Sequence, residues 1–236
     1  HNDLEETSFS VRMNGVDAGY YKRWQKISLS TSVYYSHATD VFQFISEDTG
    51  EQTEDGIPII RRTPINIGTE DRYGWEFSVT YTPIKNWRFQ TNFNYYNASR
   101  EGMYEGQDLS FVNASWFGRF SSKIVLPAKI DWQTTLFVRG PREDAQNKRE
   151  AIATVNLAFS KDILKGNGTL GFNVNDLFNS RKRIQETTGD TFIQESEFQW
   201  RERQWRLSFV YRFNQKKKRQ RSRDSFNGGD DGEFGS

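Results

Sequence analysis

Three properties of the sequence predict an all-β fold in which antiparallel strands form a transmembrane barrel. Only 35% of the 236 residues are hydrophobic and the mean hydropathy is -0.83, yet aromatic residues reach 15%. Apolar and polar residues alternate along many segments, so each segment, as a strand, has one apolar and one polar face. Such strands suit a barrel with lipid outside and a wet lumen inside. No apolar run approaches the ~18 residues that a membrane helix needs.

The clearest strand lies near the C-terminus, where Trp205, Leu207, Phe209, Tyr211 and Phe213 alternate with mostly polar residues. Ten such residues, tilted by ~40°, would span ~25 Å, which is the height of the apolar band of a barrel. The same alternation predicts nine strands, over 15–23, 27–45, 60–82, 87–98, 110–126, 130–139, 150–160, 169–178 and 192–213.

Short and long connections alternate between these strands. The short ones fall at 22–26, 83–86, 127–129 and 161–168, and the long polar ones at 46–71, 99–110, 140–150 and 179–197. Outer-membrane barrels have short periplasmic turns and long extracellular loops, so we expect the long loops outside. Tryptophans lie near both ends of the strands, as in the aromatic girdles of such barrels: Trp24, Trp87 and Trp132 near short turns, and Trp75, Trp200 and Trp205 toward long loops.

Nine is an odd number, whereas single-chain bacterial barrels have even strand numbers. With a periplasmic C-terminus, the first strand would need a predecessor upstream of His1. We therefore expect a lead-in over 1–14, the C-terminal part of a larger barrel over 15–213, and a basic, then Gly/Asp-rich, disordered periplasmic tail over 214–236. Positive and negative charges are nearly balanced, and the basic run would lie in the periplasm, so we expect no nucleic-acid partner.

Charged residues on the predicted polar faces are the candidate site residues. We interpret them as lumen-lining residues in an ion-pair network that stiffens the barrel and holds a plug. A basic funnel for an anionic solute is the alternative. The residues are Arg88, Arg119, Arg139, Arg206, Arg212, Glu76 and Asp131.

No residue pattern indicates catalysis or a bound cofactor. The sequence lacks cysteine, which excludes disulfides and thiolate metal sites. His37, the only internal histidine, has no companion ligands. Glu195 and Glu197 share one strand face, but they suit a wet lumen or loop without a catalytic role. We therefore expect no enzyme activity, no cofactor and no metal.

Several segments, in this order and spacing, resemble TonB-dependent receptors of Bacteroidota over about residues 15–213. They are 67–76 (IGTEDRYGWE), 139–143 (RGPRE), 160–170 (SKDILKGNGTL), 173–179 (NVNDLFN) and 211–213 (YRF). The resemblance implies a 22-stranded barrel, of which these would be strands 14 to 22. It also implies an N-terminal plug that contacts TonB, and energised import of a large solute such as a siderophore, glycan or peptide.

The sequence contains no plug-like segment, so the expected partners are outer-membrane lipid, an N-terminal barrel and plug portion not in this chain, and TonB through that portion. A transporter is the leading interpretation. The first alternative is a receptor-like barrel that serves as a structural subunit, together with a surface lipoprotein or other outer-membrane subunits. The second, a small-barrel enzyme, is disfavoured because the strand number is odd and no nucleophile–base arrangement is present.

Overall fold

The computed structural model describes residues 11–66 and 68–213, and strands dominate this range. In chain order the strands are β1 (Arg12–Arg23), β2 (Ile27–Thr39), β3 (Phe42–Gln52), β4 (Pro58–Asn66), β5 (Thr69–Ile84), β6 (Trp87–Glu101), β7 (Met103–Tyr104), β8 (Gln107–Asp108) and β9 (Phe111–Leu126). They continue as β10 (Ile130–Arg139), β11 (Arg142–Glu143), β12 (Asn147–Arg149), β13 (Ile152–Ile163), β14 (Gly168–Asn175), β15 (Arg183–Thr188), β16 (Ile193–Phe198) and β17 (Gln204–Tyr211). Short 3-10 turns at Pro127–Lys129 and Leu164–Gly166 join two pairs of long strands.

Nine of these strands form one antiparallel sheet, in the order β1-β2-β5-β6-β9-β10-β13-β14-β17. The all-β, antiparallel prediction is therefore confirmed. Each long strand pairs with the next long strand along the chain, and the intervening hairpins all lie at one end. We call this the loop end, and the opposite end the turn end. Among the described residues β1 and β17 are the two edges of the sheet, which is not closed.

Three predicted strands were too long. Segment 27–45 breaks at Asp40, whose φ of 57° turns the chain out of the sheet, so Phe42 and Phe44 belong to the hairpin β3–β4. Segment 60–82 divides into β4 and β5; between them Gly68 has a φ of 42°, and a Cβ there would clash with the carbonyl oxygen of Glu101. Segment 192–213 divides into β16 and β17. The predicted segments were joined across the breaks, although the apolar residues change phase at two of them: Phe42 and Phe44, like Phe198 and Trp200, stand at even positions, whereas the apolar rows of β2 and β17 stand at odd positions.

The N-terminal boundary also differs from the prediction. Residues 12–14 were assigned to the lead-in, but Arg12, Met13 and Asn14 pair with β2 as part of β1. Val11 and Met13 alternate with polar residues, so a short signal for this extension was present in the sequence. The rest of the lead-in up to residue 10, and the tail predicted over 214–236, lie outside the described residues.

Strand register places the predicted apolar residues on one face of the sheet. Val33 pairs with Trp75, Trp75 with Tyr95, and Tyr95 with Trp116, so these four form one row across β2, β5, β6 and β9. A chain of rings continues on the same face from Trp132 through Phe159 and Phe172 to Trp205, with centroids 5.6, 6.4 and 5.8 Å apart. We call this face the aromatic face.

Two indole N–H groups on the aromatic face donate to hydroxyls of neighbouring strands. Trp75 Nε1 donates to Thr31 Oγ1 at 2.8 Å, and Trp87 Nε1 donates to Ser122 Oγ at 3.0 Å. Both hydroxyls interrupt otherwise apolar rows. Because an indole N–H has no partner in hydrocarbon, a hydroxyl on the neighbouring strand satisfies it without water.

The opposite face, which we call the polar face, carries mainly serine, asparagine, glutamine, glycine and charged residues. Ser32, Glu76 and Asn94 form one row on it, and Ser30, Ser78, Asn92 and Arg119 form another. The described part of the chain has no helix that is long and apolar enough to cross a membrane. Most of the buried apolar side chains lie toward the loop end rather than along the sheet: Ala38, Val41, Ile45, Ile65, Tyr96, Ala98 and Leu109, with Val174 as well.

Candidate binding surface at the loop end

The four long loops are folded, each around a hairpin, and together they form a layer that we call the loop cap. Hairpins β3–β4 and β7–β8 stand alone, whereas β12 pairs with β15. This pairing joins β11, β12, β15 and β16 into one four-stranded sheet built from two loops. The cap is thus a structured surface over one end of the main sheet.

A small apolar core holds three of the loops together. Ile45 of β3 and Ile65 of β4 are 2% and 8% exposed, and Leu109, which follows β8, is 5% exposed. Tyr104 and Ala145 pack against these three residues. Ala145 lies in the turn between β11 and β12, so this core connects the hairpins β3–β4, β7–β8 and β11–β12.

Polar contacts between distant residues reinforce the cap. The Ser46 N–H donates to Gln146 Oε1 at 2.8 Å, and Gln146 Nε2 donates back to the Ser46 carbonyl at 3.1 Å. Thr191 Oγ1 donates to Asp48 Oδ2 at 3.2 Å, and Gln107 Nε2 donates to Asp190 Oδ2. The turn between β15 and β16 thereby reaches both β3 and β8.

A buried carboxylate anchors the cap to the main sheet. The side chain of Glu70, 9% exposed, pairs directly across strands with Arg100. Arg72 Nη2 donates to the other oxygen of Glu70 at 2.7 Å. Arg100 also donates to Gln43 Oε1 and to the Phe42 carbonyl, both at 3.4 Å. These bonds tie the root of the β3–β4 hairpin to β5 and β6.

The model of the outer membrane protein beta-barrel family matches residues 12–211, from the first residue of β1 to the last residue of β17. The chain belongs to the outer membrane protein beta-barrel family. No curated protein and no solved structure matches it.

Membership of the outer membrane protein beta-barrel family places the chain in the outer membrane, in contact with lipid. In such barrels the apolar residues of each strand face lipid and the polar residues face the lumen. The aromatic face is accordingly the lipid side of this wall, and the polar face is the lumen side. Large exposed side chains such as Val33, Trp75 and Trp205 on the aromatic face are then solvated by lipid rather than water.

All seven sequence-predicted site residues lie on the polar face of the sheet. Register puts Glu76, Asn94 and Phe117 in one row with Arg139, and Asp131 opposite Ser160 on β13. Arg88 on β6 and Arg119 on β9 stand at the positions between the aromatic-face residues, and so point to the polar face. The same holds for Arg206 on β17 and Arg212 just beyond it.

The structure does not bring these seven residues together. Glu76 accepts from Ser32 Oγ at 3.0 Å and from Asn94 Nδ2 at 3.4 Å. Arg212 donates to Thr169 Oγ1 at 2.9 Å, and Asp131 lines a cavity of about 260 Å³ near the turn end. In residues 11–66 and 68–213 none of the five arginines forms an ion pair. The predicted network would therefore need partners outside the described part of the chain.

The charges that do pair were not predicted from the sequence. Glu70 and Arg72 are two residues apart and so share one strand face, which is a detectable signal. Arg100 lies 30 residues further on, and only the register of β5 and β6 brings it to Glu70. No group of three or more metal-ligating side chains occurs among the residues that the structure describes.

Proposed function

We propose that this chain forms the C-terminal wall and the extracellular loops of a TonB-dependent outer-membrane transporter that imports a large solute such as a siderophore, glycan or peptide. The complete barrel would have 22 strands. The plug and the TonB-contacting segment would belong to a portion of the protein that precedes these strands. The chain itself would bind and conduct solute without catalysing a reaction, and would use no cofactor.

The open sheet is the observation that carries the proposal. β1 and β17 each present one unpaired backbone edge in the described residues. In lipid every unpaired backbone group costs several kcal/mol, and barrels avoid this cost by closing. Nine strands joined in a simple meander are therefore expected to pair with further strands on both sides. The family resemblance over residues 15–213 supports the number 22 and the TonB-dependent class.

The lumen side also suits a wide barrel. In barrels of about eight strands, inward side chains fill the interior. Here many inward positions carry short side chains, among them Gly74, Ser78, Asn92 and Ser121. Short polar side chains leave space for a plug or a hydrated solute, which supports transport rather than a filled small barrel.

Refolding residues 1–236 in detergent tests the requirement for further strands. We expect aggregation through the edges of β1 and β17, or folding only after the preceding portion of the protein is added. A monodisperse species with heat-modifiable migration, formed by residues 1–236 alone, would contradict both the open wall and the 22-strand assignment.

Orientation is part of the proposal: the loop cap lies outside the cell and the turn end lies in the periplasm, together with the tail. Single cysteines at Glu105, exposed in the β7–β8 turn, and at Asn86, exposed in the β5–β6 turn, provide a matched pair. An impermeant thiol reagent on intact cells should label Glu105→Cys and not Asn86→Cys. The opposite labelling pattern would reverse the topology.

A structural subunit of a larger outer-membrane assembly is the second candidate, favoured by large apolar side chains at the loop end. Ile193, Phe198 and Trp200 are 71%, 48% and 75% exposed. Exposed apolar groups of this kind are typical of protein contacts. The two functions differ in one observable: loss of a plug or of TonB should abolish uptake by a transporter but leave the assembly of a structural subunit intact.

A further inference from the structure

Unpaired positive charge is concentrated on one face of the four-stranded sheet in the loop cap. Arg142 of β11 and Arg149 of β12 are direct cross-strand partners. Like charges placed directly opposite each other in a sheet repel and destabilise the pair. Arg139, at the end of β10 on the lumen side of the main sheet, is separated from this hairpin by two residues. We call Arg139, Arg142 and Arg149 the arginine cluster.

The opposite face of the same hairpin has balanced charge. Glu143 pairs across strands with Lys148, whose Nζ lies 3.6 Å from the Glu143 carboxylate, and Lys148 in turn pairs with Glu186 of β15. Both Lys148 and Glu143 are exposed. Opposite charges therefore pair across strands on this face of the hairpin, whereas like charges pair on the face that bears the arginine cluster.

Within the arginine cluster, Arg149 is held in place by neutral groups. Arg149 Nε donates to Gln185 Oε1 at 2.8 Å, and Gln185 Nε2 donates to Asn147 Oδ1 at 2.8 Å and to Thr187 Oγ1 at 3.0 Å. Thr187 is buried, with 5% exposure. This chain of amide and hydroxyl groups fixes the direction of the Arg149 guanidinium without neutralising its charge.

The nearest acid is already engaged in a turn. Asp144 Oδ1 accepts from the backbone N–H of Gln146 at 3.2 Å, and from the N–H and Nδ2 of Asn147 at 2.9 and 2.7 Å. Burial lowers the pKa of Arg149, and three neighbouring arginines lower it further, whereas Asp144 acts in the opposite direction. Those arginines are Arg183, Arg142 and Arg62. Positive charge therefore exceeds negative charge around this group.

Two buried donors of the cluster have no partner. Within the described part of the chain, no group accepts a hydrogen bond from Nε of Arg139 or from Nε of Arg142, although both nitrogens are buried. A buried donor without an acceptor costs free energy, and more so when the group is charged. In folded proteins the acceptor for such a donor is a protein group, an ordered water or a bound ion.

We propose that Arg139, Arg142 and Arg149 form a binding site for an oxyanion of a solute, a carboxylate, phosphate or sulfate group, at the loop end of the lumen. Planar guanidinium groups bind such groups through paired charge-assisted hydrogen bonds. The site differs from the broad basic funnel considered from the sequence, because Arg88, Arg119, Arg206 and Arg212 take no part. It rests on the proposed function only in requiring that a solute can enter the lumen; it does not depend on TonB.

The test is anion binding by the intact protein, purified in an uncharged detergent. Citrate, inorganic phosphate and sulfate are titrated separately by calorimetry, with chloride at equal ionic strength as reference. We expect at least one oxyanion to bind and to raise the melting temperature, and the ranking among the three identifies the oxyanion class. If all three behave as chloride does, the proposal is wrong, and the arginines are neutralised within the protein or by another part of it.

Substitutions within the arginine cluster test whether the oxyanion binds there. Arg142→Gln and Arg149→Gln should each weaken oxyanion binding by about tenfold or more, as expected when a charge-assisted hydrogen bond is lost. Lys148→Gln, on the opposite face of the same hairpin, should bind as wild type does. Heat-modifiable migration establishes that each variant has folded. Equal affinities for Arg149→Gln and wild type would overturn the assignment even if the wild type binds anions.

Energised uptake is measured separately and distinguishes this proposal from the proposed function. Oxyanion binding that persists in a strain without TonB, together with lost uptake, supports both. Oxyanion binding in a protein whose uptake never depends on TonB supports the arginine cluster and contradicts the transporter class.

Discussion

The aromatic face of the sheet and the loop cap are stabilised in different ways. On the aromatic face many neighbouring strands contribute rings that contact each other, such as Phe77 and Phe93 at 5.5 Å and Phe93 and Trp116 at 6.2 Å. The loop cap instead depends on a few contacts between residues far apart in sequence, such as Ser46 with Gln146. The main sheet, which we call the wall, is thus stabilised by a repeated pattern of contacts on a face that meets lipid. The loop cap is instead a small folded unit in water.

The largest loss of stability is expected when a charge is placed on the aromatic face. Phe93→Arg and Leu136→Arg should each destabilise the protein by about 2–4 kcal/mol, because an arginine near the middle of the bilayer loses its hydration. Assembly is measured as the heat-modifiable fraction in the outer membrane. Asn92→Arg, one residue away on the lumen side, is the control and should assemble nearly as wild type does. Equal loss in all three would mean that the two faces are wrongly assigned.

Truncation of the cap core should loosen the cap and spare the wall. Leu109→Ala removes one of three buried side chains and should cost about 2 kcal/mol, at the low end for such a change because the cluster is small. Limited proteolysis should then cleave the loops faster while heat-modifiable migration is unchanged. Leu164→Ala is the control, since Leu164 is 54% exposed in the turn at Leu164–Gly166. Loss of assembly in Leu109→Ala would show that cap and wall are not separable.

Removal of the charge that joins cap and wall has a smaller expected effect. Glu70→Gln leaves Arg100 and Arg72 without their common anion. We expect a cost of about 1–2 kcal/mol, below the value for a fully buried pair because the Arg72 side chain is 41% exposed. Urea titration of the purified protein measures the cost. Glu101→Gln, exposed at the end of β6, should have no measurable effect; if it matches Glu70→Gln, burial of Glu70 does not matter.

The smallest predicted effect concerns a single polar contact on the aromatic face. Trp87→Phe removes the indole donor to Ser122 and leaves that hydroxyl without its partner, at a cost of about 0.5–1.5 kcal/mol. Trp132→Phe should cost less, because the structure shows no such bond for Trp132. Denaturant midpoints compare the two variants. A larger loss for Trp132→Phe would mean that ring area, and not the hydrogen bond, decides stability here.

The wall could be predicted from sequence because one local property defines it. Residues such as Leu207 and Phe209 alternate with polar neighbours, and alternation alone assigns both strand and face. The hairpin β3–β4 was missed because the strand was extended past Asp40, although Phe42 and Phe44 stand at even positions and the apolar row of β2 stands at odd ones. This change of phase was a detectable signal, because an uninterrupted strand would place Phe42 and Phe44 on the polar face.

The arginine cluster was harder to predict from the sequence, because strand register brings its members together. Arg142 and Arg149 are separated by a turn whose geometry decides whether they face each other, and Gln185 reaches Arg149 from a different loop. Arg139 was recognised as an inward residue, since its place on β10 follows from alternation. Its unpaired Nε could not be predicted, because that depends on every neighbour in three dimensions.

The pairing of β12 with β15 limits how the surface of this protein can be re-engineered. Residues 147–149 and 185–187 belong to different loops, yet each supplies the backbone partners of the other. A chimaera that receives only one of these loops from a relative would expose a strand edge where a ladder had been. Transplanting both loops, together with the β3–β4 hairpin that carries Ser46, is the smallest change that retains these contacts between the loops.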